Sequence, residues 1–125
     1  MGMVHFVYLS SGLVYSCCKC STHLTDHSRL VSENFHGRHG RAFLFQDLVN
    51  VYEGEEAHRT MTTGEHRVRD LYCMGCMRVV GWRYIKAYEK TERYKERKCI
   101  LEINITRQSR ISPTSPTSST SIASI

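Results

Sequence analysis

Two short motifs decide the fold of this chain of 125 residues: Cys17-Cys18-Lys19-Cys20, and Cys73-Met74-Gly75-Cys76 after a gap of 52 residues. Two residues between the outer cysteines of each motif let a tight turn direct both sulfur atoms at one metal ion. Two such turns supply the four ligands that zinc prefers in closed structural sites. The pattern therefore predicts one Zn²⁺ ion held by Cys17, Cys20, Cys73 and Cys76. A site with four protein ligands leaves no position for a catalytic water, which indicates a structural metal.

Other potential ligands do not extend this set. Only Lys19 separates Cys18 from Cys20, so Cys18 is the poorer ligand. Four histidines are alternative ligands, but two complete cysteine pairs leave no vacancy for them; they are His23, His36, His39 and His66. A thioredoxin-like motif would need a helix directly after it in a βαβ context, and neither motif has one, which argues against a redox site.

A change in composition after Thr106 divides the chain. Residues 107–125 hold ten Ser and Thr, both prolines and no acidic residue, so they are predicted to form a disordered tail. Residues 1–106 are predicted to form one domain, small enough that a metal would help its modest core. No window approaches a membrane span, and the start lacks the basic region of a secretory signal. We expect an intracellular protein with no membrane partner.

Short runs punctuated by glycine predict a mainly β domain of antiparallel strands. The predicted strands are residues 5–9 and 13–15, which flank Ser10-Ser11-Gly12 as a first hairpin, then 41–45, 48–52, 67–73, 79–87 and 98–106. Residues 21–39 are expected to be rich in loops, and residues 88–98 are the only helix candidate. The period of two places Val80, Trp82 and Tyr84 on one face of their strand.

Five residues are candidates for a ligand pocket: Phe43, Phe45, Asn50, Trp82 and Tyr84. Trp82 is the single tryptophan, and with the other aromatic residues it would line an aromatic pocket. Ordinary core packing is the alternative, because aromatic side chains dominate the cores of small domains. Asn50 either satisfies buried backbone groups or points into the pocket.

Two basic regions raise the question of an anionic partner. His36, Arg38 and His39 lie on a glycine-rich loop, where their donors could meet an anion or could hold a structural turn. The segment 83–98 mixes basic, tyrosine and glutamate residues, which is typical of a solvated face. The net charge of +5 falls to +3 without the tail and to about +1 with four zinc-bound thiolates. Nucleic acid is therefore not the expected partner.

The spacing of these residues resembles that of the Yippee family. The matching positions are Cys17, Cys20, Gly40, Leu44, Asn50, Gly64, Cys73, Cys76, Gly81 and Trp82, with the segments 35–40, 61–64 and 94–96. The resemblance covers about residues 6–103. It implies a β-tent fold of two small antiparallel sheets pinned by one zinc ion, similar to the thalidomide-binding domain of cereblon and to Mis18. Arg97 stands where the family usually has glycine, so the last turn is expected to differ.

The same resemblance implies a non-enzymatic regulatory or adaptor protein. Its expected partners are another protein or a small ligand in the aromatic pocket, its expected location is the nucleus or the cytoplasm, and its expected role lies in growth or cell-cycle control. A nucleic-acid-binding module is the first alternative. The second is an enzyme like methionine sulfoxide reductase B, which would need an activated cysteine nucleophile such as Cys99.

Overall fold

The structure is a computed structural model that describes residues 5–112. Nine strands account for most of them: β1 Gly12–Cys17, β2 His23–Asp26, β3 Leu30–Gly37, β4 Gly40–Phe45, β5 Val51–Met61, β6 Gly64–Cys73, β7 Val79–Ala87, β8 Cys99–Glu102 and β9 Thr106–Ile111. Three short 3₁₀ helices span His27–Arg29, Lys90–Lys95 and Ile103–Ile105. Within residues 5–112, no helix is long and apolar enough to cross a membrane. The prediction of a mainly β domain is confirmed.

The strands form two antiparallel sheets, as predicted. The small sheet has the order β2-β1-β9, and the large sheet has the order β3-β4-β8-β7-β6-β5. β1 ends at Cys17 and β6 ends at Cys73. Each cysteine motif therefore begins on the last residue of a strand, one in each sheet.

Two apolar clusters lie on opposite faces of the large sheet. The first joins both sheets, since it includes Tyr15 and Leu24 of the small sheet with Phe43, Phe45 and Leu101 of the large one. The second is smaller and contains Ala42, Leu44, Val68, Tyr84 and Ile100. Alternation along β4 explains the division, because successive side chains of a strand point to opposite faces.

The longest pairing in the large sheet joins β5 to β6. We predicted a strand only for residues 48–52, but β5 starts at Val51 and continues to Met61. Its second half lacks an apolar alternation and is stabilised instead by ion pairs across the two strands. Arg59 Nη2 lies 2.7 Å from Asp70 Oδ1, and Arg67 pairs with Glu56.

The predicted first hairpin is wrong. Residues 5–10 form no strand, and β1 pairs with β2 on one side and with β9 on the other. Because both edges of β1 are occupied, the preceding segment has no edge to join. It is held by side chains, since Asn50 Nδ2 donates to the Val7 carbonyl oxygen at 2.8 Å and His23 Nδ1 accepts from the Leu9 amide at 2.9 Å.

The predicted boundary at residue 106 is also wrong. The run 98–106 divides into β8, the 3₁₀ helix Ile103–Ile105 and the first residue of β9, and β9 continues to Ile111. β9 pairs with the whole of β1, from Gly12↔Ile111 to Cys17↔Thr106. Most of its side chains are exposed, so the strand is held by backbone pairing and gives no hydrophobic signal in the sequence. The rest of the predicted tail, residues 113–125, lies outside the described residues.

Three smaller differences complete the comparison. The segment 21–39 contains β2 and β3, and the helix candidate 88–98 is a 3₁₀ helix of six residues. Val80 belongs to the first apolar cluster, whereas Trp82 and Tyr84 belong to the second. The pairing shifts register at this point, from Leu71↔Gly81 to Tyr72↔Val79, so a β-bulge turns Val80 to the other face. The predicted strands 41–45 and 79–87 are confirmed as β4 and β7.

Candidate functional site

Four cysteine sulfur atoms come together where the two sheets meet. The Sγ atoms of Cys17, Cys20, Cys73 and Cys76 all lie within 4.8 Å of one another. Cys17 Sγ is 3.7 Å from Cys76 Sγ, and Cys20 Sγ is 3.5 Å from Cys73 Sγ. Four thiolates at Zn–S distances of about 2.3 Å would lie roughly 3.8 Å apart, whereas a disulfide needs about 2.05 Å. The donor set and its spacing fit a tetrahedral zinc ion, and the four cysteines could hold a metal.

The two cysteine turns have the same backbone geometry. We call residues 17–22 the first knuckle and residues 73–78 the second knuckle. In the first, the Cys17 amide donates to the carbonyl oxygen of Thr22 at 2.9 Å; in the second, the Cys73 amide donates to that of Arg78 at 2.9 Å. The fifth residue of each turn, Ser21 or Met77, has a φ of 66° or 65°. The sequence therefore builds the same turn twice, once at the end of a strand in each sheet.

Gly75 is required for close approach of the two knuckles. A β-carbon added to it would lie 2.2 Å from Thr22 Oγ1 and 2.7 Å from Cys20 Sγ. The φ of Gly75 is not positive, so its own turn does not require a glycine. Glycine is required for steric reasons, because the first knuckle occupies the space that a side chain at position 75 would need. The equivalent position in the first knuckle, Lys19, carries a side chain.

Burial and hydrogen bonds act in opposite directions on these thiols. Burial raises the pKa of Cys73 to about 12, although the backbone amides of Cys76 and Gly75 favour its thiolate. Burial also raises the pKa of Cys76. In Cys20, burial acts in the same direction but is outweighed by hydrogen bonds from Thr22 and the neighbouring thiols, which lower the pKa to about 7. Cys73 and Cys76 therefore keep their protons near neutral pH in the absence of metal, and a bound cation would displace them.

Two arginines lie beside the first knuckle. Arg78 Nη1 is 3.5 Å from Cys18 Sγ, and Arg107 Nη2 is 3.3 Å from the carbonyl oxygen of Cys18. Four thiolates with one divalent ion carry a net charge of −2, so these cations favour the metal-bound state. Arg107 belongs to the segment that the sequence placed in the tail, so its position beside the knuckle was not predicted.

The other candidate ligands lie elsewhere. Among residues 5–112, the metal-competent cluster contains the four cysteines and none of the histidines. His66 is fully buried and packs its ring 5.2 Å from that of Tyr84, and burial lowers its pKa. Cys99 is fully buried in the first apolar cluster, where burial raises its pKa to about 12. Cys18 is half-buried and is not part of the four-cysteine cluster.

The five residues of the predicted pocket do not come together. Phe43 and Phe45 pack with Tyr15 in the first cluster, at ring distances of 6.3 and 5.1 Å from it. Trp82 and Tyr84 lie on the opposite face of the large sheet. The division arises because β4 and β7, which β8 separates in the large sheet, present these aromatic residues to different faces.

Asn50 has a structural position before β5. Its φ is 58°, and its side-chain amide bonds the backbone of Val7 in both directions, at 2.7 and 2.8 Å. The same Nδ2 atom donates to the carbonyl oxygen of His23 at 2.7 Å. Of the two alternatives for Asn50, this geometry corresponds to the one in which it satisfies backbone groups.

A cleft of about 780 Å³ lies over the second apolar cluster. It is lined by residues 34–38 around the end of β3, residues 59–63 around the β5–β6 turn, Trp82 and Tyr84 of β7, and Glu92, Tyr94 and Lys95. β3 and β5 are the two edge strands of the large sheet, so both edges contribute walls to the cleft. Trp82 and Tyr84 are the only predicted pocket residues that line it. The other walls were missed because they come from mixed segments that are distant in sequence and have no regular apolar pattern.

The glycine-rich loop 36–40 binds a carboxylate of the protein itself, that of Glu102. The backbone amide of His39 donates to Glu102 Oε1 at 2.8 Å, and His39 Nδ1 lies 3.3 Å from the same atom. Glu102 is only 3% exposed, so this loop satisfies a buried carboxylate. His36 and Arg38 do not take part, and both line the cleft.

Arg97 occupies a turn that favours glycine. Its φ is 71°, in the left-handed region, while its amide donates to the Tyr84 carbonyl oxygen at 2.8 Å and its carbonyl oxygen accepts from Arg83 Nη1 at 2.9 Å. The chain therefore adopts here the conformation that a glycine adopts freely, with an arginine in its place.

Comparisons with known proteins agree with this architecture. The profile of the family described as "Yippee zinc-binding/DNA-binding /Mis18, centromere assembly" matches residues 13–121. A yippee-like protein of Arabidopsis thaliana is 50% identical over 97 residues, which cover 78% of this chain and 76% of the relative. Protein yippee-like 3 of Homo sapiens is 44% identical over 90 residues, covering 72% of this chain and 76% of the relative.

A solved structure shows the same fold. The crystal structure of the Mis18 "Yippee-like" domain superposes with a TM-score of 0.62 and 19% identity, covering 80% of this chain and 97% of that one. At this identity the similarity concerns the fold alone. With the family profile and the relatives at 44% to 50% identity, it leads to one conclusion: the chain belongs to the Yippee-Mis18 family.

Proposed function

We propose that this protein is a non-enzymatic binding module in which one zinc ion holds two sheets together. The observation that carries the proposal is the placement of two cysteines at the end of a strand in each sheet, with all four sulfur atoms within 4.8 Å. Zinc bound there would link β1 to β6 directly. In small domains the free energy of metal binding becomes free energy of folding.

Two features support a non-enzymatic function. A zinc ion with four cysteine ligands has no open position for a substrate or a water. The sharpest enzyme alternative needs a cysteine nucleophile, but Cys99 has no exposed surface and a raised pKa, which are the properties of an inert thiol. The half-buried Cys18 is not among the residues that line the cleft.

The cleft over the second apolar cluster is the proposed recognition site. It combines aromatic side chains with charged groups, which is typical of sites that bind small molecules or single side chains of a partner. We propose that a protein or a small ligand binds there, and that the protein acts as an adaptor in the nucleus or cytoplasm, in growth or cell-cycle control. The family resemblance supports the cellular part of this proposal.

Nucleic-acid binding is the alternative that the family description names. The basic segment 83–98 gives it limited support, because three glutamates lie among its seven basic residues and two of its cations are paired with carboxylates. Arg83 Nε lies 2.8 Å from Glu53 Oε2, and Lys95 Nζ lies 2.7 Å from Glu92 Oε1. Retention on DNA that weakens steeply with salt would favour this alternative.

Affinity capture with cleft variants tests the recognition role. Arg38→Glu reverses an exposed charge in the cleft, whereas Arg110→Glu makes the same change on β9. A partner that is captured by the wild type and by Arg110→Glu but lost with Arg38→Glu would locate recognition at the cleft. Equal capture by all three chains would contradict the proposed site.

A further inference from the structure

The charges that line the cleft are unbalanced. Three lining residues are basic, Arg38, Arg59 and Lys95, and only Glu92 is acidic. Arg59 has a carboxylate partner in Asp70, at 2.7 Å, and Lys95 has one in Glu92, also at 2.7 Å. Arg38 makes no side-chain hydrogen bond or ion pair with any other residue in the described part of the chain, 5–112. Its planar guanidinium, with five N–H donors, is therefore free to bind an acidic group.

A second positive charge is built into the wall. Lys95 is only 2% exposed, and its Nζ donates to Thr63 Oγ1 at 2.9 Å. The same atom lies 5.4 Å from the centre of the Phe35 ring and 5.3 Å from that of Tyr84. An ammonium held between aromatic rings is screened less than one in open water, so it attracts an anion in the cleft more strongly. Glu92 offsets this charge in part, which leaves Arg38 as the principal anchor.

Aromatic rings form the apolar part of the same cleft. The rings of Trp82 and Tyr84 meet edge to face, with centres 6.3 Å apart and planes at 79°. Phe35 and Tyr94 add apolar surface at the sides. A volume of about 780 Å³ lies within the range of pockets that bury most of a small molecule. A flat ring could stack in this cleft, whose walls also carry the cations.

We infer that the cleft binds a planar aromatic group that carries one acidic function, a carboxylate or a phosphate. The ring packs against the half-buried Trp82, and the acidic group pairs with the exposed Arg38. This inference rests on the proposed recognition role of the cleft and adds the chemical class of its ligand. A neutral ring would leave Arg38 unpaired, and an acid without a ring would leave the aromatic surface uncovered.

The single tryptophan allows a direct test by NMR. Trp82 gives the only indole Nε1–H signal of the full chain, so its movement reports on the cleft. Cinnamate is a planar aromatic carboxylate, and cinnamamide is its neutral counterpart of nearly the same shape. We expect cinnamate to move the Trp82 signal saturably and to bind about ten times more tightly than cinnamamide, with an affinity that falls as salt is added.

Matched variants and a second acid sharpen the result. Arg38→Gln should weaken cinnamate about tenfold, while Arg110→Gln, on exposed β9, should leave it unchanged. Phenyl phosphate replaces the carboxylate; if it binds more tightly than cinnamate and still depends on Arg38, the inference holds with phosphate as the acidic group. Equal binding of cinnamate and cinnamamide would overturn the inference that the ligand carries an acidic group, and the cleft would remain a site for aromatic rings. A Trp82 signal that no probe moves would overturn the inference entirely, whereas the affinity capture described above tests the recognition role separately.

Discussion

Gly75 and Thr22 belong to different cysteine knuckles, yet a β-carbon on Gly75 would lie 2.2 Å from Thr22 Oγ1. The two turns are therefore packed against each other directly, and Thr22 also reaches Cys20 Sγ at 3.1 Å. The contact fixes the relative position of the two cysteine pairs, and through them that of the two sheets.

Gly75→Ala should separate the knuckles and weaken the metal site. Forcing a methyl group into a packed position costs about 1–3 kcal/mol, which corresponds to a loss of zinc affinity of roughly 5- to 150-fold. Competition with a chromophoric chelator measures this change. Lys19→Ala, at the equivalent position of the first knuckle, is the control and should have little effect. Unchanged affinity in Gly75→Ala would mean that the knuckles are not in contact.

Truncation tests the importance of β9. A chain ending at Thr106 loses five of the six β9 residues that pair with β1, including Arg107 beside the first knuckle. We expect its Tm to fall by more than about 10 °C, because several backbone hydrogen bonds disappear and each contributes roughly 1 kcal/mol. A chain ending at Ser112 should unfold like the full chain. Similar melting of the two truncated chains would contradict the role of β9.

Arg97→Gly should stabilise the protein. The arginine has a φ of 71°, and within residues 5–112 its hydrogen bonds use only backbone atoms, which glycine retains. Relief of a left-handed conformation is worth about 1 kcal/mol. Arg97→Ala keeps the strained backbone and should not stabilise. Urea unfolding of the three chains gives the comparison, and equal stabilities of the glycine and alanine variants would show that the turn is not strained.

Because Cys99 and Tyr84 are buried, we expect the Cys99 thiol to be unreactive and the protein to lose stability at high pH. The pKa of Cys99 rises from 9.0 to about 12 on folding, and that of Tyr84 from 10.0 to about 12, both mainly through burial. The folded state thus keeps protons that the unfolded chain loses, so stability is retained below pH 9 and falls between about pH 9 and pH 12. Cys99→Val should make the first part of this decline shallower.

Thiol labelling of the native protein at pH 8 tests whether Cys99 is buried and unreactive. Cys18, which is half-buried, should react with a thiol reagent, whereas Cys99 should react only after unfolding. Labelling of Cys99 as fast as that of Cys18 would contradict its burial and would revive the enzyme alternative.

The sequence predicted the cluster of four cysteines and the central strands for clear physical reasons. Cysteine spacing constrains the turn geometry by itself, and β7 combines β-branched and aromatic residues that strands prefer. The segments that were missed lack such local signals. β9 is polar and depends on the edge of β1, and the second half of β5 depends on ion pairs with β6, such as Arg59 with Asp70.

The cleft could not be predicted for a related reason. A bulge at Val80 and the alternation of β4 decide which aromatic residues share a face, and both depend on strand register. Its walls come from segments distant in sequence, such as the loop with Arg38 and the 3₁₀ helix with Lys95. Only the tertiary structure brings those cations to the rings.

Single cysteine variants distinguish the four ligands from their neighbour. Cys73→Ser should abolish metal binding and cooperative folding, because the free energy of zinc binding, roughly 10 kcal/mol or more, is comparable to the whole stability of a domain. Cys18→Ser changes the thiol next to the cluster and should retain both properties. Circular dichroism during thermal unfolding separates these outcomes.

The zinc content of the folded chain tests the central claim most directly. Elemental analysis of protein purified under reducing conditions should find about one zinc ion per chain, and removing it with a chelator should abolish the cooperative unfolding transition. A chain that contains no stoichiometric zinc and still unfolds cooperatively would contradict the claim that the metal joins the two sheets.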